Sequence, residues 1–242
     1  SLVCVRIDSY ESEQAQQYVR NFLDGRFENS AFCILAPDGK ERLTASGRGP
    51  HQVFRNGRGG GASDTIAQME EIVKAYKAKG KDESPLLQDF HTFRQGLNVA
   101  SADQRVFVVI QGEGDQLAAA QETLRPIAWS DEMVGLFHYD SSPAEGWDEA
   151  IDGVDDAPGI HLIVPGEFGL EGTLQTSLPL NASDSAIRAA LSEANEHYAS
   201  STEQKIYSSH VAKGRQEGVH FESAVPYLSL IHISEPTRLA TI

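Results

Sequence analysis

The chain has 242 residues, 40% of them hydrophobic, and 20 Lys and Arg against 35 Asp and Glu, a net charge of −15. That length suits one large or two small domains, and no run approaches the ~18 apolar residues of a membrane span, so membrane insertion is not expected. Up to Lys81 there are 12 basic and 10 acidic residues and beyond it 8 and 25, so the acidic second part repels nucleic acid and leaves a protein as the possible partner.

The chain opens on "LVCVRI", a run of β-branched residues that predicts a buried strand with no start or signal before it, as in a fragment. In "DSYESEQAQQYVRNFLDG" the residues Ala15, Tyr18, Val19, Phe22 and Leu23 recur at helical spacing, with Gly25 as the stop. "SAFCILAPDGKERLTASG" predicts a hairpin, because Pro37 presets φ and Gly39 tolerates a positive one. "SDTIAQMEEIVKAYKAKG" puts Ile66, Met69, Ile72, Val73 and Tyr76 on one helical face, with cap residues in front and Gly80 behind. Residues 81–104 form a linker, in which "LLQDFHTFRQGL" predicts a short helix between the units.

The second unit begins at "RVFVVIQG", apolar at nearly every position and therefore a strand covered on both faces. A helix follows over Asp115–Trp129, kinked late by Pro126. Then come the strand "MVGLFHYD", an acidic loop or short helix around "AEGWDEAIDGVDD", the strands "GIHLIVP" and "GTLQTSLPL", and a helix over Ser183–Tyr198.

The order strand, helix, strand, helix, strand, strand, helix, with a hairpin leading into the last helix, resembles the thioredoxin-like fold. "APDGKERLTASG" is similar to the Pro-Asp-Gly hairpin common there, and "VCVRIDSYE" and "HVAKGRQEGVHFESAVPY" are similar to bacterial members of that superfamily. The resemblance implies an α/β fold in tandem. Residues 1–80 would be the rear of one copy, lacking its first strand and active-site helix, and 105–199 a complete second copy, with 200–227 a partial C-terminal extension.

In that family a Cys-x-x-Cys pair sits after the first strand, where backbone N–H groups and the helix dipole stabilise a thiolate. For the first copy this turn would precede Ser1. In the second copy it falls on Gly112, Glu113, Gly114 and Asp115, which hold no sulfur, so disulfide exchange is impossible there. The family's cis-proline maps to Pro158, whereas the first copy has Ser30 and Ala31 at that place.

Cys4 and Cys33 are too few for a disulfide framework or a zinc site, and both lie in apolar runs as small buried hydrophobes. In the thioredoxin-like arrangement a strand would separate theirs, placing them about 9–10 Å apart, beyond the ~7 Å that a disulfide spans.

Arg48, Arg55 and Arg58 among glycines before a helix are the nearest approach to an anion site, but the Lys-Ser/Thr of a P-loop is missing, and a surface loop is the plainer reading. The six carboxylates between Glu145 and Asp156 do not follow calcium-loop spacing and read as a solvated face. His51, His91, His138 and His161 stand singly, as histidines that satisfy local hydrogen bonds. No catalytic residue, metal or cofactor is assigned.

Near the end, "LSLIHISEPTR" (residues 228–238) matches the translation of a sequencing-library adaptor, and residues 228–242 are set aside as an artefact. The expectation is a tandem thioredoxin-like protein with a non-catalytic second domain, any thiol–disulfide chemistry lying in a segment before Ser1. The alternative is a binding or scaffold module of the same fold.

Overall fold

The computed structural model describes residues 5, 7, 12–23, 31–47, 50–54, 62–76, 86–87, 89–90, 92–141, 147–153 and 157–220. These fall into two compact units divided after Glu83.

In the first unit, α1 (Glu13–Phe22) is capped by Ser12, whose Oγ accepts the Ala15 N–H at 3.0 Å. The helix ends at buried Leu23, ahead of the Gly25 expected to stop it. Its last turn is held by the predicted hairpin: Arg42 Nη1 and Ser46 Oγ both donate to the Phe22 carbonyl. The hairpin turns where the Gly39 N–H donates to the Ala36 carbonyl, and Asp38 Oδ1 accepts the N–H groups of Lys40 and Glu41. Its arms meet as two antiparallel bridges, Phe32 with Gly47 and Leu35 with Arg42, rather than as regular strands. The cause is local, since Thr44 Oγ1 takes the Ile34 N–H and so replaces a backbone partner.

Two short expectations change in this unit. Val5 and Ile7, the described residues of the opening stretch, are 76% and 40% exposed and outside any strand, so they are not the buried strand that their composition predicts. After α2 (Pro50–Val53), helix α3 (Ala62–Lys74) half-buries Met69, Ile72 and Val73 but leaves Ile66 and Tyr76 exposed. Its apolar face is narrower than its spacing implied.

The second unit is a five-stranded mixed sheet with helices on both faces. Helix α4 (Phe93–Ala102) leads into β1 (Val106–Gln111), α5 (Gly114–Ala128), β2 (Phe137–Asp140), α6 (Trp147–Ala150), β3 (Ile151–Asp152), β4 (Gly159–Pro165), β5 (Gly172–Leu178), α7 (Asp184–Ser201) and α8 (Tyr207–Gln216). The strand order is β2-β1-β4-β5-β3. β1 runs parallel to β2 and antiparallel to β4, β4 is antiparallel to β5, and β3 is parallel to β5.

Alternation along β1 divides the core, because successive side chains leave a strand on opposite faces. Val106, Val108 and Ile110 pack with Leu124 and Ile127 of α5 and with Ile187 and Leu191 of α7. Phe107 and Val109 pack on the other face with Phe93, Leu97 and Ala100 of α4 and with Trp147 of α6. Burying a side chain of this size contributes about 1.5–3 kcal/mol, so β1, buried at all six positions, is the mechanical centre. α4 approaches it closely at Gly96, where a Cβ would lie 2.4 Å from Phe107 Cζ.

These contacts revise the expected boundaries. Residues 93–102 are not a linker but a core helix of the second unit, buried at eight positions, with Thr92 as its cap. Part of the extension 200–227 likewise folds as α8 within that unit. The strand read from "MVGLFHYD" is only its second half, because Met133 to Leu136 form a turn closed by Leu136 N–H to the Met133 carbonyl.

Hydrogen exchange is expected to be slowest in β1 and β4 and faster throughout residues 31–47, where two bridges do the work of a ladder. Equal protection factors in the two segments would contradict that division of stability.

Candidate functional site

The turn that ends β1 and opens α5 lies at one end of the sheet. Gln111, the last residue of β1, is buried and pairs with Gly159, the first of β4. Pro158 therefore sits beside Gly112, as the sequence predicts, although 46 positions separate Gly112 from Pro158 in number. A Cβ at Gly112 would lie 2.7 Å from Leu180 Cδ1, so a larger residue there would have to displace the end of that side chain. Glu113 is the extended N-cap of α5 without a side-chain cap bond, and Gly114 begins the helix at φ +56.

Glu113, Gly114 and Asp115 are exposed, and the two carboxylates face the positive end of the helix dipole. A helix start without sulfur forms no covalent bond by disulfide exchange.

One expectation at this turn is corrected. No peptide bond among the described residues is cis, so Ala157–Pro158 is trans, the isomer favoured by about 0.5–1 kcal/mol in X–Pro bonds. The Ala157 carbonyl lies 3.1 Å from Nε2 of buried His161, whose Nδ1 is 2.9 Å from Ser177 Oγ. That carbonyl is thereby held without the cis isomer.

Cys33, on the hairpin, is a half-buried free thiol. Burial pushes its pKa up, against a weaker pull from Arg42, so the thiolate that reacts with disulfides is disfavoured. Cys4, Arg48, Arg55 and Arg58 lie outside the described residues, as do Glu145, Asp155 and Asp156 of the acidic loop. Among the described residues no three His, Cys, Asp or Glu converge to hold a metal, and no helix is long and apolar enough to cross a membrane.

Two of the single histidines acquire partners that spacing did not foretell. His138 on β2 is buried, with Nε2 2.9 Å from Asp103 Oδ2 at the end of α4 and the Phe90 ring edge-on at 5.9 Å. His161 meets Trp147 edge-on at 5.2 Å. Both rings join layers of the fold.

A further polar cluster has no sequence signature. Lys205, between α7 and α8, directs Nζ at the Ser101 carbonyl, Ser101 Oγ and the Glu167 carbonyl. Gln104 brackets the same segment, accepting the Lys205 N–H and donating to the Glu203 carbonyl. On α8, Lys213 Nζ donates to Glu167 Oε2, and His210 stacks on Phe168 with centroids 4.8 Å apart. Burial pushes Lys205 down to about 8, while three oxygen acceptors around Nζ hold the ammonium in place. Ser101 is buried and already donates to the turn carbonyls of Gly166 and Glu167. The Ser–Lys contact is accordingly an anchor for α8 and not a nucleophile with its base.

The chain matches no protein-family model, no curated protein and no solved structure.

Proposed function

We propose that the chain is a non-enzymatic binding module whose second unit is thioredoxin-like, and that neither unit performs thiol chemistry. The observation that carries this reading is the turn Gly112-Glu113-Gly114-Asp115, which follows β1, opens α5 and contains no sulfur, and which would correspond to the place of that fold's reactive pair. Support for the fold comes from the strand order β2-β1-β4-β5. Two parallel strands joined by α5 are followed by an antiparallel hairpin and α7, with α5 and α7 packed on one face. The pairing of Gln111 with Gly159 adds the expected neighbourhood of Pro158 and the turn. The trans bond at Pro158 departs from the family pattern, and is in keeping with a turn that no longer positions a disulfide.

The acidic residues at this end suit a protein partner with a basic or amide-rich contact surface. A catalytic role in thiol exchange would need an accessible thiolate, and Cys33 is half-buried with a raised pKa.

Insulin reduction by the whole chain in dithiothreitol is the direct test. The expected rate equals that of dithiothreitol alone, with the Cys33→Ser and Cys4→Ser variants indistinguishable from the parent. An acceleration abolished by either substitution would overturn the proposal.

A further inference from the structure

Helix α8 is attached unlike the other helices of its unit. Among the described side chains along it only Val211 and Gly214 are buried, and the polar contacts of the segment 202–216 converge on Glu167 and its neighbours. Two cationic or potentially cationic side chains face that carboxylate, and a third sits on the backbone carbonyl of the same residue. Lys213 Nζ is bonded to Oε2, Lys205 Nζ lies on the Glu167 carbonyl, and His210 Nδ1 stands 3.8 Å from Oε1. The His210 side chain is 12% exposed and stacks at 21° on Phe168, and Lys213 is 5.9 Å from that ring's centroid.

We propose that α8 is a latch released by acid, in which protonation of His210 adds a third positive charge beside Glu167 and undocks the helix.

The charge count decides the direction. Glu167 already compensates Lys213, to which Glu217 adds a carboxylate at 4.0 Å, and Lys205, displaced only to about 8, is cationic at neutral and acid pH. A protonated ring at 210 meets two ammonium groups and a carboxylate that is 3.8 Å away and shared. The charged groups acting on the ring are Lys205 from the preceding segment, Lys213 from α8 and Glu167 from the β4–β5 turn, and Ser101 on α4 contributes only neutral oxygens to Lys205. Desolvation comes first in pushing His210 below its ordinary 6.5, the two lysines add to it, and Glu167 opposes.

The released ring binds a proton more readily than the docked one, so docking is fully present above 6.5 and weakens as pH falls below it. The face of the Phe168 ring attracts a cation, so the stack opposes release, against the burial of the imidazole and the two lysines beside it. Release would uncover Phe168 and Val211 together with the oxygens that now hold Lys205.

The test is amide exchange of the full chain at pH 7.5 and 5.0, expressed as protection factors after correction for intrinsic rates. Protection at Val211 to Gly214 is expected to fall about tenfold on acidification while β1 stays unchanged. His210→Phe keeps the stack without the charge and should hold α8 equally at both pH values, as should His210→Gln if phenylalanine is not accommodated. The proposal fails if the parent shows no fall, if β1 loses protection in parallel, or if the neutral variants respond to acid as the parent does.

Discussion

Truncating Trp147 to alanine is expected to lower the stability of the second unit by about 3–5 kcal/mol. The indole is fully buried although it sits on a helix of only four residues. It stacks on Phe93 with centroids 5.1 Å apart and meets His161 edge-on. An aromatic side chain buries roughly 150–250 Å², and α4 and the sheet are too tightly engaged by Phe107 and Leu97 to collapse into the space left behind. No hydrogen-bond partner for Nε1 is found among the described residues, so the loss is one of packing and not of a polar bond. Trp147→Phe should therefore recover more than half of the deficit, in proportion to refilled volume. Urea unfolding followed by far-ultraviolet circular dichroism measures both variants. A change below about 1 kcal/mol for the alanine variant would show that the α4 face is not a packed core. The effect should extend to the candidate binding turn, because His161 lies against the indole and holds the carbonyl that precedes Pro158.

How much of this was readable beforehand differs by element, and the reasons are physical. β1 is legible because Val106 to Ile110 offers neither a polar face nor a helical period. α5 and α7 are legible because their buried residues, among them Leu124 and Ile127 or Ile187 and Leu191, recur at three and four positions. α4 reads in the sequence as a linker helix because Gln95, Gly96, Asn98 and Ser101 dilute its apolar stripe. In the fold those residues are buried too, since Asn98 Nδ2 donates to the Phe168 carbonyl and Ser101 Oγ to that of Gly166. Their burial is a tertiary fact with no local period.

That a sulfur-free turn joins β1 to α5 at Gly112–Asp115 is legible in the sequence, but the trans geometry at Pro158 is not, because isomer choice depends on what holds the preceding carbonyl. The latch was invisible for a different reason. Lys205 reaches Ser101 across 104 positions and Glu167 across 38, and no spacing rule connects residues so distant.

Gly169→Ala is expected to cost roughly 2–5 kcal/mol and to loosen α8 in the same protein, which ties the packing of the β4–β5 turn to the latch. Gly169 has φ +68, in the left-handed region where a Cβ costs about 1–2 kcal/mol. The added carbon would also lie 2.6 Å from the Asn98 Cα, 2.8 Å from the Ser101 Cβ and 3.0 Å from the Leu97 carbonyl oxygen. Most of these are backbone atoms of α4 that cannot rotate away, so the turn itself must move, at the ~1–3 kcal/mol typical of overpacking. The residues that move with it are Gly166, Glu167 and Phe168, whose carbonyls, carboxylate and ring hold Ser101, Asn98, Lys205, Lys213 and His210. Thermal unfolding measures the first effect, and amide exchange of residues 207–216 at pH 7.5 measures the second. A variant of unchanged stability would mean that α4 and the turn are not in contact, and lost stability with α8 still fully protected would mean that the helix is held by something other than Glu167.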